Sequence, residues 1–373
     1  MKFYVGSLVL AAVAFFSSCG TDETTAVSPI PPLVNQDTVA AGSIPSLDSS
    51  LNAGTSVFQE PHAPGFNPCQ FNFGAAWSAL HEEADFYRGL DYIAVWLGDN
   101  DFYNAFEARM VETAVSIKAT PMIYAYVIAE FGKDHGLEDC DMVKAEVTHC
   151  THGAGIIREY FNDSILYRYE QYAAGLRDQV ESNLELDPNT FESIWLIEPD
   201  FYQYSQSSSL QRAASKQSEQ VGGGIPDAEM GFYFSQIVGV IKKYLPAAKI
   251  AIDISPWIKD KLAWYSNFDL GQVDYASTSG GRTTAGSAYI RGREATWAEM
   301  FGLLGKPVLA DAGYDAGGVG TGHAKVWDLP ENINARIADG VVGVMQMDAE
   351  NGYPARADSI RSQLLVNYPW CQQ

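Results

Sequence analysis

The sequence predicts an α/β chain folded as a TIM-type (β/α)8 barrel, and three observations predict it. Short apolar runs rich in Val, Ile, Trp and Tyr recur along the chain with helical spacing between them, eight times in all. Such alternation implies a parallel sheet with helices outside, and eight units are what a closed barrel needs. Carboxylates gather at the ends of these runs, and in a barrel all those ends meet on one face. No glycine-rich dinucleotide loop follows the first run, which disfavours a doubly wound open sheet. A distorted or seven-stranded barrel is the nearest alternative, because the first run is the weakest strand.

Ahead of the barrel, Lys2 is followed by an apolar run over residues 4–16. That length suits the core of a signal peptide and is too short to read as a membrane span. The run ends in Ser17-Ser18-Cys19-Gly20, small residues before a cysteine that resemble a bacterial lipobox. The expectation is a lipoprotein signal peptide over 1–18 and a lipid anchor at Cys19. The chain would then be exported and held at the outer membrane or cell surface, with plain secretion as the alternative. Residues 19–64 are rich in Ser, Thr, Pro, Ala and Asp without periodicity, which reads as a disordered tether. Residues 65–373 are left as one barrel domain.

Within that domain the strands are expected over 69–76, 92–97, 121–130, 194–197, 249–257, 273–280, 307–313 and 341–348. Helical spacing covers 102–117, 156–180, 227–244, 259–270, 295–304, 329–338 and 353–366, with 77–87 a helix or loop. Pro246, Gly305 and Gly340 stop three of these helices. A polar, cysteine-bearing excursion spans 131–155, and a Ser/Gln/Gly-rich loop spans 205–226. Loops of that length are usually functional or disordered.

The chain carries 24 basic and 46 acidic residues, a net charge of −22. Such a surface repels nucleic acid and anionic membranes, leaving the lipid anchor as the only membrane contact expected. With 8 Trp, 20 Tyr and 18 Phe, an acidic exported chain suits sugar binding, where ring faces stack on pyranose faces. Beyond Cys19, Cys69, Cys140, Cys150 and Cys371 remain, an even count that suggests two disulfides with three connectivities open. Cys140–Cys150, closing a loop, and Cys69–Cys371, joining the ends of the domain, are preferred. His149-x-x-His152 has Cys150 between its histidines and no strong acid partner, so it reads as a structural loop rather than a metal pair. Gly222-Gly223-Gly224 lacks the Lys-Ser/Thr of a phosphate loop and reads as a hinge. No metal and no cofactor are expected, and the domain is expected to be a monomer.

The chemistry is expected at Ile194-Trp-Leu-Ile-Glu198-Pro199-Asp200, an apolar strand ending in two acids around a proline. Strand alternation would put Leu196, Glu198 and Asp200 on one side, and neighbouring carboxylates push their pKa values apart. Asp253, Asp311, Asp348 and Glu350 end later strands, and Trp96, Tyr202 and Trp257 fall at the same mouth. An acid-rich, aromatic-walled cleft points to glycoside hydrolysis, which needs one protonated carboxyl for the leaving oxygen and a second group for water or the sugar.

On these residues the chain resembles glycoside hydrolase family 6, the inverting β-1,4-glucanases. The matching motifs are Glu198-Pro199-Asp200, Ile252-Asp253 with Trp257, Leu309-Ala-Asp311-Ala-Gly313 and the acidic loop Asp348-Ala-Glu350-Asn-Gly352. The resemblance implies Asp200 as the proton donor and a base at Asp348 or Glu350. Glu198 is then the understudy acid, or the group that holds Asp200. Asp253 and Asp311 would bind sugar hydroxyls, Asp311 being an alternative base, and Trp257, Tyr202 and Trp96 would line the substrate. The implied partner is a β-1,4-linked polysaccharide, cellulose or another β-glucan first. A non-catalytic carbohydrate-binding lipoprotein and a retaining barrel glycosidase with Glu198 as acid are the alternatives.

Overall fold

The computed structural model describes residues 65–78, 81, 83–99, 103–140, 147–206, 220–256, 258–279, 283–290, 295–312 and 323–371. Eight parallel strands close into a barrel in chain order: β1 (Asn72–Ala76), β2 (Tyr92–Leu97), β3 (Thr120–Ala125), β4 (Ile194–Ile197), β5 (Lys249–Asp253), β6 (Tyr275–Ser279), β7 (Val308–Asp311) and β8 (Val341–Gln346). The helices between and after them are α1 (Ala84–Tyr87), α2 (Ala105–Ser116), α3 (Val127–Asp134), α4 (His149–Tyr160), α5 (Leu166–Asp178), α6 (Asp227–Tyr244), α7 (Lys261–Tyr265), α8 (Trp297–Leu304), α9 (Pro330–Ala338) and α10 (Tyr353–Arg361). The expected (β/α)8 barrel is the fold.

The strands are nearly continuous apolar runs because a parallel barrel is buried on both faces. Helix starts follow local chemistry. Asn104 and Glu107 form a capping box at α2, and Thr296 and Glu299 form one at α8. Several ends are shorter than the sequence reading, and two differences change the kind of element. The third apolar run is strand only to Ala125 and then turns into α3, since a long apolar run does not itself distinguish strand from buried helix. His149 and His152 open α4 rather than lying in a loop, under a capping box from Thr148 and Thr151.

Paired residues of neighbouring strands share a face, so the register identifies the barrel interior. Tyr92 lies opposite Gly74, where a Cβ would sit 2.4 Å from the tyrosine ring, so glycine makes room for it. Phe66 packs edge-on against Tyr92 and Tyr275 and closes the N-terminal end. Following the same parity upward, Trp96, Tyr124, Asp253, Ser277 and Asp311 face inward at or near the C-terminal mouth. Both preferred disulfides are present, Cys69–Cys371 and Cys140–Cys150. Among the described residues no helix is long and apolar enough to cross a membrane.

Candidate active site at the barrel mouth

The site is built on the exits of β4, β5 and β7. β4 ends at Ile197, and the next residues leave strand geometry at once: Glu198 has φ 45° and Asp200 φ 68°. Both are in the left-handed region, which a non-glycine side chain enters only when its surroundings hold it there. The alternation expected across Leu196, Glu198 and Asp200 is therefore broken. Glu198 is fully buried and does not face the mouth. Its Oε1 accepts the Ile128 N–H at 2.7 Å in the first turn of α3, and the Tyr169 hydroxyl of α5. Burial pushes its carboxyl up to about 8, against the lowering pull of Tyr169 and the α3 amides.

Asp200, two residues on, keeps partial solvent contact and lies beside β5. Its backbone N–H donates to the Asp253 carboxylate, and its charge acts on the same group. Asp253 Oδ2 also accepts the Ser255 hydroxyl at 2.8 Å. Burial comes first among the causes that raise the Asp253 carboxyl well above its ordinary value, followed by Asp200 and, more weakly, Asp311. Beside it lies a void of about 10 Å³ lined by Ile197, Phe201, Tyr202, Phe234 and Trp264. The Tyr265 hydroxyl fixes the strand exit, donating to the Asp253 carbonyl at 3.0 Å and accepting the Ser255 N–H at 3.1 Å. The result is a pair of neighbouring carboxyls in which burial and the second acid make Asp253 hold its proton more tightly, an arrangement suited to general acid catalysis.

Asp311 faces inward from β7, separated from Asp253 by β6 and its inward-facing Ser277. Trp96 is half-buried and stacks on Tyr124 with ring centroids 4.5 Å apart, giving the β2–β3 side of the mouth an aromatic wall. Tyr126, just past β3, was not singled out from sequence. Burial, and then the charge of Asp200, raise its hydroxyl well above the ordinary value, which places that hydroxyl near Asp200. Ser255 was also missed, although its place two residues after an acid at a strand end was a usable signal.

Other expected site residues are elsewhere. Tyr202 is buried, packs edge-on against Trp264 at 5.2 Å and lines the small void beside Asp253 rather than an open cleft. Trp257 lies outside the described residues. Asp348 is exposed in the turn after β8. Glu350 lies 3.4 Å from Lys325 and 3.5 Å from Arg356. Slight burial pushes its carboxyl up, but His323, Lys325 and Arg356 outweigh it and hold the carboxyl below the usual range. The structure does not bring Asp348 or Glu350 into the Asp200–Asp253 pair. Among the described residues no three His, Cys, Asp or Glu side chains are gathered so as to hold a metal ion.

No family model matches the chain, and no curated protein matches it. Solved structures do. A modular endo-β-1,4-mannanase of glycoside hydrolase family 26 from Cellulomonas fimi aligns with TM-score 0.51 and 11% identity over 81% of this chain and 74% of that one. A ruminal family 26 endo-β-1,4-mannanase aligns at 0.46 and 10%, over 81% of this chain but only 66% of its own length. A β-mannanase from a protist symbiont of the termite Reticulitermes speratus aligns at 0.46 and 10%, over 84% and 96%. At these identities the likeness is one of fold.

Proposed function

We propose that the barrel is a glycoside hydrolase that cleaves a β-1,4-linked polysaccharide by acid/base catalysis. The observation that carries this reading is the pair at the β4 and β5 exits, where the Asp253 carboxyl takes the Asp200 N–H and the Ser255 hydroxyl and is raised by burial and by Asp200. In this reading Asp253 gives its proton to the leaving oxygen and Asp200 keeps it protonated until substrate arrives. This reverses the sequence expectation, in which Asp200 was the donor. Asp311, facing inward from β7, would activate water or meet the sugar, and Trp96 with Tyr124 offers a stacking face. The family 6 motifs suggest a glucan and inversion. The mannanases that share the fold make a mannan equally worth testing.

Purified residues 60–373 should release reducing sugar from at least one of β-glucan, xylan or mannan, and Asp253→Asn should abolish it. NMR of the first anomer formed separates inversion from retention. Tight polysaccharide binding with no turnover in the wild type would sink the hydrolase and leave the carbohydrate-binding reading. Surface anchoring through Cys19 is proposed alongside. Cells fed labelled palmitate should label the wild type and not Cys19→Ala.

A further inference from the structure

We propose that Glu198 is a positioning residue, whose buried carboxyl ties the β4 exit turn to the first turn of α3 and so sets Asp200 against Asp253. The inference rests on the proposed roles of that pair and adds a group that never touches substrate. Four hydrogen bonds lock the turn. The Glu198 N–H donates to the Ala125 carbonyl at 3.0 Å, and the Phe201 N–H donates to the Glu198 carbonyl at 2.9 Å. The carboxyl takes the Ile128 N–H and the Tyr169 hydroxyl, and that hydroxyl also reaches the Ala125 carbonyl at 3.2 Å.

Two left-handed non-glycine residues flank Pro199, a backbone that relaxes unless a side chain holds it. The Glu198 side chain ties the turn to α3 and α5 by hydrogen bonds. Its Oε2 is buried with no hydrogen-bond partner among the described residues. The ionisable groups that act on Glu198 and its turn are Tyr169, Tyr126 and Tyr204. Those acting on Asp253 are Asp200, Asp311 and Tyr265, with the Ser255 hydroxyl bonded to it.

The experiment follows the Asp253 carboxyl by 13C NMR titration without substrate, assigned with Asp253→Asn. It compares wild type, Glu198→Ala and Glu198→Gln, and follows kcat against pH in parallel. When the turn relaxes, the Asp200 charge retreats, and the Asp253 midpoint should fall by about one pH unit in Glu198→Ala. In the same variant kcat should drop roughly 10- to 100-fold with KM nearly constant, and its alkaline limb should move to lower pH. Glu198→Gln keeps the acceptor oxygen and should restore both midpoint and limb. A wild-type midpoint and limb in Glu198→Ala would overturn the proposal. So would a Glu198→Gln as damaged as Glu198→Ala, which would make ionisation, not position, the essential property. If Glu198→Ala does not fold, Tyr169→Phe removes one of the two donors and should shift the midpoint in the same direction. A barrel that hydrolyses nothing still titrates Asp253, so failure of the hydrolase reading and failure of this one remain distinct.

Discussion

The two sides of the barrel mouth carry acids that look alike in sequence and differ in company. On the β4–β5 side Asp253 is surrounded by Asp200, Asp311 and apolar side chains. On the β8 side Glu350 and Asp328 sit among Lys325, Arg356 and His323, with His323 Nε2 3.1 Å from Asp328 and Arg356 Nε 3.2 Å from it. Like charge and desolvation raise a carboxyl and leave a proton ready to give. Cations lower it, as at Glu350, and leave a fixed anion. The first arrangement suits chemistry, and the second suits holding a loop. Gln346 at the end of β8 does the same holding without charge, its Oε1 accepting the Ala324 N–H at 2.8 Å.

The largest test of the contrast is Asp253→Asn, which should cut kcat about 10²- to 10⁴-fold in a reducing-sugar assay. A loss under threefold would erase the distinction between the two sides. Next, activity should fall as pH rises through the raised Asp253 value, because the proton it donates is then gone. An alkaline limb that survives in Asp253→Asn with residual activity would assign that limb to another group. Stability sharpens the contrast. Glu198 is raised in the folded state, so its contribution is complete below about 4.5 and is lost as pH climbs through about 8. Thermal unfolding should show Tm falling between about pH 4.5 and 8 in the wild type and falling less in Glu198→Gln. On the β8 side, Arg356→Ala should cost roughly 1–2 kcal/mol in denaturant unfolding, discounted for its partial exposure, with kcat close to wild type. The smallest effects belong to Asp348→Asn and Glu350→Gln, each expected within twofold in kcat. A tenfold loss in either would return the base to the β8 loop.

The barrel was legible because its signals are local and repeated. β2, β4 and α6 occur at the bounds their apolar runs and breakers imply. The disulfides were legible because four cysteines in one domain leave few pairings. The site was legible only in part. Asp200, Asp253 and Asp311 were found as strand-end acids, but which acid keeps its proton depends on burial and neighbours that only the closed barrel supplies. Glu198 looked like a twin of Asp200 because the strand period of two was carried past Ile197, where two left-handed residues cancel it. Tyr202 looked like a wall of the cleft because a short 3-10 turn after Asp200 redirects it toward Trp264, and nothing in sequence marks that turn.

The Cys69–Cys371 bond makes the barrel mechanically a ring. Its two cysteines are 302 positions apart in sequence with Cα atoms 5.6 Å apart, so a pull applied to chain outside them passes through one covalent link. The eight strands between carry no tension. In a force experiment the oxidised protein should lengthen only by what lies outside the ring. Reduction should release a further contour length on the order of 1000 Å, from about 3.5 Å per residue. A barrel tethered at one end and gripping an insoluble polymer at its mouth would still load its strands, because that path crosses the fold from the mouth to the link.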